Sequence, residues 1–244
     1  MFTIYKNIFD ELKNKGIYHF ASYISSSQYS KAYDLVRKYG TEKLNVLDWG
    51  TGSGHFSYFL LSQGYNVTAF TIEQQSFLAD SLKNSYKEKY KLLLDQKPTI
   101  PLPFDDESFD LVVSIGVLEH VRETNNTEIN SLSEIRRVLK PNGIFICYHF
   151  PNKYSWIESI TKHLSSKHNH IYKYTNNDIR EITGTCKLQL LEVKRYGIMP
   201  RNTFRFVPNS KLLTHIFNFV DSTLSVILSP LCQNYYFVAK KQIK

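Results

Sequence analysis

Cysteine is scarce in this chain. Cys147, Cys186 and Cys232 are the only three, they lie far apart, and no CxxC pair occurs. That excludes a zinc ribbon and a disulfide-built scaffold, and an odd count suits a reducing cytoplasm, the compartment expected here. A GxSxG elbow and a GK[ST] phosphate loop are also missing, so hydrolase and kinase readings lack a nucleophile or a cradle. There is no internal repeat, low-complexity stretch or Pro/Ser linker. The opening residues MFTIYKNIFDELKNKG carry charge where a signal peptide needs an apolar core, so no export is expected. What is present is 244 residues, 42% of them hydrophobic. That suits a single domain over 1–244 with a sizeable core and no bound metal.

Acidic residues are short in one region only. Residues 151–244 hold 14 Lys/Arg against 5 Asp/Glu, a net of +9, while residues 1–150 hold 16 against 17. The asymmetry reads either as solvation with a Lys- and Asn-rich coding bias, or as a C-terminal part that meets an anion, such as a phosphorylated substrate, a nucleotide sugar or an acidic lipid surface. No arginine-rich run interleaved with aromatics appears, so nucleic acid is not expected.

Apolar periodicity alternates between strand and helix. Strands are predicted at Asn45–Trp49, Tyr65–Ile72, Tyr90–Leu94, Phe109–Gly116 and Gly143–Tyr148, with helices at residues 28–39, His55–Gln63, Gln75–Lys89 and Thr127–Leu139. This rhythm implies crossover units and a doubly wound, mostly parallel α/β sheet with helices on both faces. Beyond residue 150, Pro151–Tyr174 reads as irregular. Asn176–Thr185 reads as a helix capped by Asn176 or Asn177, and Leu188–Tyr196 and Asn234–Lys241 as strands, the last antiparallel. Residues 1–40 form a helical cap, 41–150 a ligand-binding core, and 151–244 the substrate side.

The strongest signal is Val46-Leu-Asp-Trp-Gly-Thr-Gly-Ser-Gly54. An apolar strand ends in a carboxylate, then three alternating glycines lead into a helix. Glycines allow positive φ and close backbone approach, and the helix N-terminus adds partial positive charge. A pyrophosphate cradle reads GxGxxG; here the spacing is GxGxG, and Asp48 beside the loop suits a ligand bearing an ammonium group. DWGTGSG resembles the signature loop of the class I S-adenosylmethionine-dependent methyltransferases. Leu102–Val121 (LPFDDESFDLVVSIGVLEHV) is similar to that family's fourth-strand region, and Arg136–Gly143 (RRVLKPNG) to the turn before its fifth strand.

The resemblance implies a Rossmann-like fold, S-adenosyl-L-methionine as cofactor, and methyl transfer as the activity. Position by position, it puts Asp48, Gly50, Thr51 and Gly52 at the methionyl end, with Tyr29 as a cover. The usual ribose carboxylate position at the end of strand two is held by Thr71. Either Glu73 takes the two hydroxyls, or Thr71 shares them with Gln74 and Gln75. Asp95 and Gln96 would meet the adenine, and Ser114 and Ile115 would touch the cofactor at the end of strand four.

A hydroxyl acceptor needs a base, and histidine titrates near working pH. His149 ranks first because strand ends in an open parallel sheet face the ligand crevice. His170, in the variable stretch, ranks second, and His120 in LEHV third. The apolar segment 209–229 is interrupted by Asp221 and a polar stripe at His215, Asn218, Ser222 and Ser225, which argues against a membrane span. It reads as a helix packed on the body or forming a homodimer, with a membrane-surface or lipid-acceptor lid as the alternative. Together these readings give O-methylation of a cell-surface polysaccharide precursor as the leading function and of a quinone or lipid-like acceptor as the second. A non-catalytic cofactor-binding subunit is the third.

Overall fold

Seven strands join in one sheet of order β3-β2-β1-β4-β5-β7-β6. They are β1 (Asn45–Trp49), β2 (Asn66–Thr71), β3 (Tyr90–Leu94), β4 (Phe109–Ile115), β5 (Leu139–Pro151), β6 (Leu188–Tyr196) and β7 (Asn234–Lys241). The chain is described by a computed structural model that covers residues 9–72, 78–95, 101–124, 126–164 and 170–243. Strands β1 to β5 pair in parallel, and β7 runs antiparallel to both β5 and β6. This is the doubly wound, mostly parallel α/β sheet that the alternation implies. The order reverses at β1, whose neighbours are β2 and β4, and open parallel sheets bind ligands outside the carboxyl ends of the strands at such a reversal.

The principal helices are α1 (Ser30–Tyr39), α2 (His55–Ser62), α3 (Ala79–Tyr86), α4 (Glu128–Val138), α5 (Trp156–Leu164), α6 (Asn176–Thr185) and α7 (Lys211–Ile227). Two hydrophobic clusters cover the two faces of the sheet. One joins Ala32, Leu35 and Val36 of α1 and Phe56, Phe59 and Leu60 of α2 to Val46, Val67 and Leu111. The other joins Leu132, Ile135 and Val138 of α4 and Ile179 of α6 to Leu47, Val112 and Phe145. Strand alternation decides the partition: Val46 goes to one face and Leu47 to the other.

Two expectations are corrected. The side chain that caps α6 is Thr175, not Asn176 or Asn177. Its oxygen accepts from the Asp178 N–H, and the Asp178 carboxylate accepts in return from the Thr175 N–H, a reciprocal capping box. Residues 151–174 are not irregular throughout, because α5 forms within them. Its Trp156 indole donates to the Ile198 carbonyl at 2.7 Å, which ties it to the segment after β6.

Helix α7 buries three polar residues and leaves most of its aliphatic ones outside. Thr214, Phe217, Asp221 and Ser225 are buried, while Leu212, Ile216, Phe219, Val226 and Ile227 are exposed. Asp221 accepts from the Ile198 and Met199 amides at 3.0 and 2.8 Å and pairs with Arg201 at 2.6 Å. Among the described residues, no helix is long and apolar enough to cross a membrane.

Candidate functional site

A cavity of about 740 Å³ opens at the carboxyl ends of β1, β2 and β4. Its floor is the glycine turn. The Gly50 and Thr51 amides donate to the Phe70 carbonyl at 2.9 and 3.0 Å, pinning the turn to β2. Gly50 has φ +82°, and a Cβ there would lie 2.3 Å from Val117 Cγ2, so only glycine lets the turn pass under the loop after β4. Gly52, at φ +50°, has open space where a Cβ would point.

The cavity gathers Tyr29, Gly50, Thr51, Gly52, Thr71, Ile115 and His120 of the residues singled out from the sequence. Glu73 and Gln96 lie outside the described residues. Asp48, Asp95, Ser114, His149 and His170 are not on the cavity wall. Asp48 faces the α2 side of β1, alternating with Trp49, which does reach the wall. It accepts from Ser57 Oγ at 2.5 Å, and Ser57 is 2.9 Å from Thr51 Oγ1, so the carboxylate braces the turn through two hydroxyls. Burial raises its pKa to about 6 against the opposing pull of those hydrogen bonds. Asp95 donates its amide to the Thr71 carbonyl at 3.0 Å at the end of β3, and Ser114 is buried within β4.

The histidines separate in an informative way. His149 sits at a bulge of β5 with φ +69°. Its amide donates to Tyr196 Oη at 3.0 Å, and that hydroxyl lies 2.9 Å from Nδ1. Burial, reinforced by nearby His19 and His55, lowers its pKa to about 3. It is a locked, neutral ring one aromatic layer behind Tyr29, with ring centroids 5.6 Å apart. His170 is held by Glu158, and its ring centroid lies 5.7 Å from that of His120.

Sequence reasoning passed over His55, the first residue of α2. Its Nδ1 is 3.1 Å from Ser53 Oγ, and its buried Nε2 has no partner among the described residues. Burial lowers its pKa to about 3. Trp49, Phe70, Ile72 and Leu102 complete an apolar wall. Trp49, Phe70 and Ile72 lie at or next to the carboxyl ends of β1 and β2, a position the sequence shows, whereas Leu102 and His55 lie away from strand ends.

A family model described as a methyltransferase domain matches residues 47–147, the span that holds β1, the glycine turn and β4. Over that span the chain is similar to a methyltransferase domain, as the loop resemblance implies. A ubiquinone biosynthesis O-methyltransferase of Rickettsia bellii is 34% identical over 106 residues, covering 42% of this chain and 40% of that protein. The chain thus spans about two-fifths of the length of the curated relatives it matches. Among solved structures, a SAM-dependent methyltransferase from Methanosarcina mazei superposes with TM-score 0.62 at 18% identity, over 86% of this chain and 98% of that one. Phosphoethanolamine N-methyltransferase 2 of Haemonchus contortus, in complex with S-adenosyl-L-methionine, gives 0.63 at 18%, over 88% and 53%. At these identities the structural likeness shows the methyltransferase fold.

Proposed function

We propose that this protein transfers a methyl group from S-adenosyl-L-methionine to an oxygen of a small, largely apolar acceptor of phenol or quinol type. The observation that carries this reading is the cavity at the reversal of strand order, floored by the glycine turn within residues 47–147. Its volume falls in the ~300–1,000 Å³ range of small-ligand sites, with room for a donor beside an acceptor. The residues fit the cofactor. Gly52 leaves open space where a side chain would stand, the apolar wall suits an adenine, and His55 Nε2 is a buried polar atom awaiting a partner. Thr71 would serve the ribose beside Glu73, and Tyr29 would cover the methionyl end. When bound, the cofactor supplies a sulfonium methyl for in-line displacement, in which positioning provides much of the rate.

In this reading the acceptor's proton leaves on the His120 side, which draws support from His120 being on the wall while His149 is locked away from it. The apolar acceptor draws support from the uncovered apolar face of α7 and from the ubiquinone biosynthesis named for the relatives. The case for an anionic acceptor is weakened because Arg201 is committed to Asp221, Asn218 and Ser27. A second copy of this chain on residues 209–229 would be another way to cover that face.

Calorimetry with S-adenosylhomocysteine tests the cofactor, and methyl release on matched quinol and nucleotide-sugar panels tests the acceptor. Gly52→Val should abolish cofactor binding in a folded protein. Unchanged affinity in that variant, or turnover on the nucleotide sugars alone, would overturn the reading.

A further inference from the structure

Strand β4 ends at Ile115, and Gly116 at φ +74° turns the chain into the 3₁₀ segment Leu118–Thr124. That segment buries Glu119, which is 3% exposed, while His120 stays at the cavity wall. Glu119 Oε2 is buried and accepts no hydrogen bond from any described residue. An isolated carboxylate is costly to bury, so one kept there without a donor calls for a compensating cation or a retained proton.

Two imidazoles converge on the same place. One ligand atom from each of Glu119, His120 and His170 lies within 4.8 Å of the other two. The Nδ1 atom of each ring is already held by a second carboxylate. His120 Nδ1 is 2.9 Å from Glu123 Oε1, and His170 Nδ1 is 2.6 Å from Glu158 Oε1. Glu158 is fixed in turn by the His170 amide at 3.2 Å and by Lys173 Nζ at 2.9 Å. A carboxylate that takes Nδ1–H sets the tautomer and leaves the Nε2 lone pair free. This is the outer-shell arrangement by which ligating histidines are aimed at a metal.

We propose that Glu119, His120 and His170 form a site for one divalent transition-metal ion at the edge of the cavity. Two imidazoles and one carboxylate favour zinc, iron or cobalt over magnesium and calcium, which prefer all-oxygen sets. Metal–ligand bonds of ~2.1 Å place tetrahedral ligands about 3.4 Å apart, so the three atoms must draw in by up to ~1.5 Å. Three protein ligands leave a position open toward the cavity, as catalytic sites do. Its use there rests on the methyl-transfer reading, whereas the site itself does not. An acceptor hydroxyl taken into the open position would lose its proton to water. The oxygen–methyl bond would then form as the sulfur–methyl bond breaks, leaving a neutral thioether.

The experiment is metal titration of the whole protein after chelator stripping and dialysis. Co²⁺ is followed by its visible absorption and Zn²⁺ by calorimetry. The expected result is one saturable equivalent and a raised thermal midpoint. Glu158→Gln, which removes only the orienting carboxylate, should weaken binding by ~10–100-fold, and His170→Ala should weaken it further. Because Glu119 is buried, Glu119→Gln is read only if its circular dichroism is native; His170, whose side chain is 30% exposed, carries the test otherwise. No saturable binding to the stripped wild type, or equal affinity in His170→Ala, overturns the site. S-adenosylhomocysteine affinity of the metal-free protein is measured separately. Metal binding without it would uphold the site and remove the methyl-transfer role.

Discussion

Helices α2 and α7 are both rich in Leu, Ile and Phe, yet they use those residues in opposite ways. Phe56, Phe59, Leu60 and Leu61 of α2 are buried in the core cluster on one face of the sheet. In α7 the buried set is Thr214, Phe217, Asp221 and Ser225, and most of the aliphatic side chains face outward. The difference lies in what each helix meets. Helix α2 packs on the sheet, an apolar surface. Helix α7 meets the stretch from Ile198 to Arg201, whose amides and guanidinium need acceptors. An amphipathic pattern shows that a helix has two faces; the neighbour decides which face is inside.

The largest effect expected from breaking this comparison is at Asp221. Removing it strands Arg201, 16% exposed, without its charge partner and leaves two amides unsatisfied. Asp221→Ala should cost about 3–5 kcal/mol, as loss of one partner of a buried pair does. Urea unfolding measures it. Arg201→Met combined with Asp221→Leu should recover part of the loss and not all, because the Ile198 and Met199 amides stay unpaired. A loss below ~1 kcal/mol in Asp221→Ala would mean that α7 is not anchored by its polar face.

The corresponding weak point on the α2 side is Gly50. Alanine there would set a Cβ 2.3 Å from Val117 Cγ2 at a φ of +82°. Overpacking and left-handed strain together predict a cost of about 2–3 kcal/mol. Val117→Ala in the same chain should return the packing share while the backbone share remains. If Val117→Ala gives no recovery, the glycine serves the turn's φ alone.

Much of the cofactor side was legible because its signals are local. Strand β1 was predicted at its observed limits, since five apolar-rich residues before a glycine turn admit few alternatives. Strands β6 and β7 were too. The facing of Asp48 was legible in principle: period-two alternation puts it with Val46, away from Leu47 and Trp49. The spacing to the glycines outweighed that parity in the sequence reading. The helix cap at Thr175 was obscured by two adjacent asparagines, each a good cap, and was settled by the reciprocal bond with Asp178. The meeting of His120 with His170 was not legible at all. Fifty residues separate them, and only the sheet order and the Glu158 carboxylate of α5, which holds His170, bring the rings together. The inward polar face of α7 was hidden for the same reason, since its partner Arg201 is contributed by another segment.

A smaller effect tests whether the head of α2 carries a neutral buried histidine. His55 is pushed down to about 3 in the folded protein, mainly by burial, against about 6.5 unfolded. Between those values the unfolded chain binds a proton that the folded chain does not. This contribution therefore makes stability rise with pH through that window and fall as pH drops. His149, lowered in the same way, adds a term of the same sign. Asp48, raised to about 6, opposes them, because the folded state holds its proton up to that pH. The difference between wild type and His55→Gln isolates one of these terms. Unfolding free energies from pH 4.5 to 7 should rise more steeply in the wild type, by up to ~1.4 kcal/mol per pH unit for one proton. Parallel curves would show that His55 does not titrate as a buried group.

The smallest effect is expected on the outer face of α7, and it sharpens the contrast most directly. Phe219 and Val226 are 74% and 79% exposed. Side chains that exposed contribute little burial, so Phe219→Ser and Val226→Ser should each change stability by less than ~0.5 kcal/mol. Phe59→Ser on α2 is the paired control. Phe59 is fully buried, stacks on Tyr33 at 3.9 Å, and replacing it should cost several kcal/mol. Both sets are measured by urea unfolding at two protein concentrations about 30-fold apart. If α7 presents a free face, the serine variants match the wild type at both concentrations. If a second copy covers it, the wild type gains stability with concentration, since association favours the folded state by mass action. The serine variants would lose that gain while Phe59→Ser kept it. Concentration dependence shared by every variant would place any association elsewhere on the molecule.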